Sequence, residues 1–310
     1  MKKSMVILFL IYLITLGYSQ TAIENITFEN YPRVDGSISI FPLNKVIACK
    51  LLNIEYKWTN RGVITKYDTL MRTRAVRLKS SIPFMNERIQ HSPTHEAFTN
   101  LIENKTDIII SVHKISEEVK KYADSLEITL IETPIALDAL VFWVDEKRGI
   151  KSLTTQQIQD VYIGKIDRWE TIGGDSAILY PYIHHLYYDY QELMGRIVMK
   201  ELKKNWDDCI VMLQSNRHEN KYAICFSVYN EIMIDNEFPN VQILAINGIE
   251  PNSKTITDRT YPYISELYAV IRSDLQENSL AYKLYEWLQG KEGQKTIKEC
   301  GYIPIKNEFN

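Results

Sequence analysis

The sequence has little glycine and lacks the short motifs that identify common catalytic and nucleotide-binding sites. Only 12 of its 310 residues are glycine, and neither G-x-x-x-x-G-K-[ST] nor G-x-G-x-x-G occurs. The zinc motif H-E-x-x-H and the nucleophile motif G-x-S-x-G are also missing. Acidic residues are scattered along the chain, so no general acid–base pair stands out. The sequence therefore gives no sign of an enzyme, and we predict none.

The net charge and the N-terminal hydrophobic run indicate the class and the location of the protein. The formal net charge of −3 argues against a nucleic-acid partner, which requires a basic surface. The long apolar run lies at residues 5–16 and follows Lys2 and Lys3, an order typical of a secretory signal peptide over residues 1–20. An N-terminal anchor helix is the alternative, although the run is short for a membrane span. We expect an exported protein, periplasmic or extracellular, that is soluble once the signal is removed.

The cysteines and histidines do not have the spacing of metal ligands. Four cysteines can pair in three ways, and each lies among apolar neighbours, which favours small buried side chains. If two of them are oxidised, Cys209 and Cys225 are the favoured pair; the other two are Cys49 and Cys300. The histidine pairs at 91/95 and 184/185 have no acidic or cysteine partner at ligand spacing. We predict no metal and no cofactor.

Predicted strands and helices alternate along the chain, which indicates an α/β fold with mostly parallel sheets and helices on both faces. The β-branched segment 107–110 is typical of a central strand. The pattern is interrupted at residues 133–136 and 261–263, which divides the chain into three blocks. We expect two lobes, one built from the first and third blocks and one from the second.

Two predicted helices begin at segments rich in hydroxyl groups. Asp35-Gly36-Ser37-Ile38-Ser39 precedes the first, and Ser92-Pro93-Thr94 precedes the second. Unpaired N–H groups and the positive end of the helix dipole make such a terminus suitable for an anion. The alternative is that these hydroxyls simply cap their own helices.

Five ordered segments stand out along the chain: YPRVDGS at 31–37, SPTHEAF at 92–98, TPIALDALVF at 133–142, SLTTQQIQDVYIGKIDRW at 152–169 and GQKTIKECGYIP at 293–304. Together they resemble the phosphate-binding-protein-like group of solute-binding proteins that serve ABC transporters. The resemblance implies a two-lobed type II periplasmic-binding-protein fold. Lobe 1 would comprise residues 28–134 plus 263–310, and lobe 2 residues 135–262.

The resemblance also implies how the protein works. The lobes would close on a small oxyanion such as phosphate without catalysis, and a monomer would deliver it to a transporter permease. Gly36, Ser37 and Ile38 would bind the anion from the first helix terminus, and Ser92 and Thr94 from the second. Asp138 would lie at the crossing between the lobes.

The second lobe departs from the family pattern. His184 stands where the family has an arginine, and Tyr188-Asp189-Tyr190 replaces Ser-Gly-Ser. The change removes a bidentate guanidinium and adds a carboxylate, and both are unfavourable to a dianion. Three hypotheses therefore remain. The protein is an oxyanion receptor, an envelope protein that acts through protein contacts, or a receptor for another solute that stacks against Tyr182, Tyr187, Tyr188 and Tyr190.

Overall fold

The computed structural model describes residues 23–59, 62–65, 87–183, 189–202, 222–234 and 240–305. The predicted signal peptide, His184, Tyr188 and Cys209 lie outside these ranges, so what was expected of them stays a prediction. In the described part of the chain, no helix combines the length and the hydrophobicity that a membrane span requires.

Helices and strands alternate over most of the described chain. The α-helices are α1 (Phe41–Leu51), α2 (Thr94–Ile102), α3 (Glu117–Ser125), α4 (Thr155–Tyr162), α5 (Asp189–Leu193), α6 (Tyr229–Ile234), α7 (Ser253–Thr257), α8 (Leu280–Gln289) and α9 (Lys291–Glu299). The strands are β1 (Val34–Gly36), β2 (Tyr56–Thr59), β3 (Gly62–Thr65), β4 (Ile108–Ser111), β5 (Leu130–Asp145), β6 (Ser152–Leu153), β7 (Tyr180–Pro181), β8 (Ala223–Val228), β9 (Val241–Ile243), β10 (Ala245–Ile246), β11 (Ile264–Arg272) and β12 (Ile303–Pro304). A 3₁₀ turn (Ile38–Ile40) leads into α1, and a π-helical turn (Met194–Val198) continues α5.

The large sheet has the strand order β1-β4-β11-β5-β8-β7, with β9 and β12 also paired to β5. The prediction of mostly parallel pairing is wrong. β1/β4 and β7/β8 are parallel, but β11 runs antiparallel to both β4 and β5, and β5 runs antiparallel to β8, β9 and β12. The antiparallel pairs arise because the chain crosses the middle of the molecule twice, on β5 and on β11.

The predicted interruption at 133–136 is also wrong, because β5 runs through it without a break. The register against β11 shifts between Leu267 and Tyr268, which leaves Ile135 as the extra residue of a bulge beside Pro134. Proline has no N–H to donate, so a bulge is one of the few places where a strand accepts it. The Gln294 side chain donates to the Ile135 carbonyl at 2.9 Å and satisfies it.

The buried hydrophobic side chains form two large cores. One is built on residues 137–263, together with Ile303. The other combines residues 23–136 with residues 267–302. The helices α2 and α3 pack on the opposite face of β4 and β11 from that second core, so this half of the sheet is covered on both faces. The architecture is the expected two-lobed α/β arrangement.

The buried positions of Cys49, Cys225 and Cys300 are confirmed. Thr154 and Gln157 form a capping box at the start of α4. Two helices near the C-terminus, α8 and α9, meet at Gly290.

Candidate functional site

The N-terminal ends of α1 and α2 lack caps from their own side chains. The residue preceding α1 is Ile40 and the residue preceding α2 is Pro93, and neither provides a side-chain hydrogen bond to its helix. By contrast, Ser116 caps α3 and Ser279 caps α8. The cap positions Ile40 and Pro93 are thus not occupied by the hydroxyl residues of the two segments. The first N–H groups of α2 have no carbonyl of their own helix to donate to, whereas α1 continues the 3₁₀ turn at Ile38–Ile40.

Asp35 joins the two segments. Its carboxylate is fully buried and accepts hydrogen bonds from the Gly36 N–H at 2.8 Å and from the Asn100 side chain at 2.9 Å. The Ser92 N–H and hydroxyl also donate to it, at 3.0 and 2.9 Å. Ser92, predicted to bind the anion, thus uses both its donors to hold the loop before α2 against β1.

Gly36 lies where no side chain fits. A Cβ atom there would be 2.5 Å from the carbonyl oxygen of Ile110 on β4. The close approach of β1 to β4 therefore requires glycine. It places the turn that follows, which carries Ser37 and the backbone of Ile38, at the start of α1.

Two hydroxyl groups, one from each helix end, donate to a carboxylate of the other lobe, and a third hydroxyl contacts one of them. The Ser37 and Ser39 hydroxyl oxygens are 3.0 Å apart. Ser39 donates to Oδ2 of Asp189 at 2.5 Å, and Thr94 donates to Oδ1 of Asp189 at 3.3 Å. Ser37 and Thr94 are buried. Each carboxylate oxygen of Asp189 thus accepts one hydrogen bond from a hydroxyl group of the first lobe.

Asp138 lies on β5 and is buried. Its Oδ1 accepts from the backbone N–H of Ala139 at 2.8 Å and of Asn230 at 3.1 Å. Burial raises the pKa of Asp138 to about 7, opposed by those backbone hydrogen bonds and assisted by the nearby Glu231 carboxylate. Asp138 can therefore hold a proton near neutral pH.

A small cavity of about 10 Å³ lies between the lobes, lined by Ser39, Asp138, Asp189, Tyr190, Asn230 and Tyr302 among others. This is space for roughly one water molecule. Burial raises the pKa of Tyr190 and of Tyr302 well above the usual range, so both phenols stay neutral. Among the described residues that line it, none is lysine or arginine. The Asn230 Oδ1 is buried and has no hydrogen-bond partner within the described structure.

A second contact between the lobes lies beside this cavity. Nε2 of His113, which follows β4, is 2.9 Å from Oε1 of Glu192 on α5. The neighbouring His113 side chain lowers the pKa of Glu192, against the effect of burial. Within the described residues, no group of three His, Cys, Asp or Glu side chains is placed to hold a metal ion.

The structure brings together Gly36, Ser37, Thr94, Asp138 and Tyr190 from the predicted set, with the backbone of Ile38 beside them. Sequence reasoning missed Ser39, Asn230 and Tyr302 as site residues and treated Asp189 only as an interruption of the family motif. Ser39 could have been found from its position in the same hydroxyl-rich turn. Asn230 carried no comparable signal, because its place depends on how β8 pairs with β5.

Comparison with known proteins gives consistent results. A family model described as a PBP superfamily domain matches residues 65–208. The phosphate-binding protein PstS of Staphylococcus epidermidis is 27% identical over 222 residues, which cover 68% of this chain and 67% of the relative. PstS of Borreliella burgdorferi is 22% identical over 185 residues, covering 56% of this chain and 66% of that protein.

Solved structures agree on the fold. A putative phosphate ABC transporter substrate-binding protein with bound phosphate from Clostridium perfringens superposes with a TM-score of 0.61 at 19% identity, covering 89% of this chain and all of that one. An ABC-type phosphate transport receptor from Vibrio cholerae gives a TM-score of 0.62 at 16% identity, covering 87% of this chain and 98% of that one. These comparisons bear out the resemblance drawn from the five ordered motifs.

Proposed function

We propose that this phosphate-binding-protein-like chain is a phosphate receptor of an ABC-type uptake system. The observation that carries the proposal is that the hydroxyls of Ser39 and Thr94, at two helix ends without side-chain caps, both donate to one carboxylate. Two oxygens of a phosphate group present acceptors of the same kind. The curated relatives that are named phosphate-binding proteins support this choice of oxyanion.

In this proposal the first lobe supplies most of the donors. The N-terminal ends of α1 and α2 provide backbone N–H groups and the positive ends of two helix dipoles. Ser37, Ser39 and Thr94 add hydroxyl donors, and Gly36 and Ile38 contribute backbone. Ser92 acts indirectly, since it fixes Asp35 and through it the loop before α2.

The second lobe closes over the anion. Asp138 and Tyr190 contact the cavity from that side, and we place His184 and Tyr188 with them on the basis of the sequence motif alone. The lobes would comprise residues 28–134 with 263–310 and residues 135–262. The separation of the two hydrophobic cores supports that division. Binding takes place without catalysis, and a monomer delivers the anion to the transporter permease.

The proposed location follows from the N-terminus of the sequence. Residues 1–20 have the charge and hydrophobicity pattern of a secretory signal peptide. We therefore place the protein outside the cytoplasmic membrane, in the periplasm or the extracellular space. Detection of a mature N-terminus near residue 21 would support this location.

Calorimetric titration of the purified protein with inorganic phosphate tests the proposal. We expect saturable binding by the wild-type protein, and Thr94→Val should weaken it at least about tenfold, because a hydrogen bond to a charged group is lost. Thr99→Val is the matched control: it makes the same change on the same helix, where the hydroxyl donates to the His95 carbonyl. No binding of phosphate at millimolar concentration would contradict the proposal.

A further inference from the structure

The group that accepts the hydrogen bonds from Ser39 and Thr94 is a side chain of the protein itself, Asp189. Asp189 begins α5 in the second lobe, and its carboxylate reaches the N-terminal ends of α1 and α2. We propose that Asp189 is a tethered competitor of phosphate: it occupies the oxyanion site and holds the lobes together until phosphate displaces it. This inference rests on the proposed function and specifies how the site is regulated.

The hydrogen bonds show why Asp189 and phosphate compete. A hydroxyl has one proton to donate. Ser39 donates its proton to Oδ2 of Asp189, and Thr94 donates its proton to Oδ1. These are the donors that phosphate requires in the proposed function. Phosphate can receive them only after the carboxylate gives them up.

Space and charge lead to the same conclusion. The cavity beside Asp189 holds about 10 Å³, which is too little for a phosphate group in addition to the carboxylate. The Asp189 carboxylate would also repel a dianion that entered with the lobes closed. Phosphate entry therefore requires α5 to move away from the first lobe.

A second side chain of α5, Glu192, also contacts the first lobe. Glu192 lies three residues after Asp189, so both side chains project from one face of the helix. Glu192 pairs with His113 of the first lobe at 2.9 Å. Two acidic side chains of α5 thus contact the first lobe, one at the hydroxyls and one at the histidine. The pair of His113 and Glu192 is thus a second contact between the lobes.

The consequence is a measurable reduction in affinity. When only a fraction of molecules has the site accessible, the apparent dissociation constant increases by the inverse of that fraction. A carboxylate held on the same chain competes at a high effective concentration. Removal of the Asp189 charge should therefore increase the affinity for phosphate, although a side chain that contacts the site is lost.

Calorimetry with inorganic phosphate is the first arm of the test. Asp189→Asn and Asp189→Ala should each decrease the dissociation constant about tenfold or more. The matched control is Asp167→Asn, which removes an exposed carboxylate of the same lobe and should change the constant less than twofold. An unchanged or increased constant in both Asp189 variants would overturn the inference. An increase would instead make Asp189 a group that receives a hydrogen bond from phosphate.

Small-angle scattering without phosphate is the second arm. The radius of gyration should increase in Asp189→Ala and stay at the wild-type value in Asp167→Asn, because only the former removes the contact between the lobes. If no variant binds phosphate but Asp189→Ala still opens, the proposed function fails and the contact between the lobes remains. If the wild-type protein binds phosphate and neither Asp189 variant binds more tightly, the inference alone fails.

Discussion

Asp138→Asn should make the protein more stable at neutral and alkaline pH, because Asp138 is buried and its carboxyl pKa is raised from 3.8 to about 7. In the unfolded chain this group ionises near pH 4. The folded state therefore retains the proton to a higher pH than the unfolded state does. The stability from the protonated carboxyl is fully present below about pH 4 and is lost as the pH rises through about 7.

The magnitude follows from the shift. A difference of roughly three pKa units corresponds to about 4 kcal/mol of stability in total, of which about 3 kcal/mol is lost between pH 5 and pH 8. Asparagine keeps the Oδ1 acceptor for the N–H groups of Ala139 and Asn230 and does not ionise. The variant should therefore lack this part of the pH dependence.

Urea unfolding of both proteins at pH 5, 6, 7 and 8 measures the effect. The stability of Asp138→Asn relative to wild type should increase steadily across this range. Asp167→Asn, which changes an exposed carboxylate, should show a constant difference from wild type. A constant difference for Asp138→Asn as well would refute the reasoning, since it would mean that Asp138 ionises at an ordinary pKa in the folded protein.

Two further substitutions test the packing that holds the lobes in place. Gly293→Ala should destabilise the protein by about 1–3 kcal/mol, because a Cβ atom would lie 2.1 Å from the carbonyl oxygen of Trp287. Thermal unfolding measures the effect. The control, Gly290→Ala, should lower the stability much less, because its Cβ atom would lie 3.4 Å from the same carbonyl oxygen. Trp169→Phe should cost about 1–3 kcal/mol, because the buried indole donates to the Tyr222 carbonyl at 3.0 Å, and an unchanged unfolding midpoint would contradict that role.

Local structure was predictable where neighbouring residues determine it. The capping box at Thr154 and Gln157 and the buried face of α2 at Phe98 and Leu101 follow from spacing alone. The strand through Pro134 was not predictable, because proline ordinarily interrupts a strand. It is accepted there since β11 shifts its register, a feature of a distant segment.

The candidate site could be predicted in part. The hydroxyl-rich helix starts lie at the contact between the lobes, where Ser39 and Thr94 donate to Asp189. Ser92 holds the loop before α2 by donating to Asp35, which lies 57 residues earlier in the chain. The contact of Asp189 with Ser39 joins residues 150 positions apart. The packing of the two lobes determines such contacts, so they cannot be predicted from the spacing of residues in the sequence.

A crystal structure of the protein grown with inorganic phosphate tests the central claim most directly. We predict tetrahedral density between the N-terminal ends of α1 and α2, within hydrogen-bond distance of the Ser39 and Thr94 hydroxyls, with the Asp189 carboxylate moved away from both. Density for phosphate at another place, or the unchanged contact of Asp189 with these hydroxyls at saturating phosphate, would contradict it.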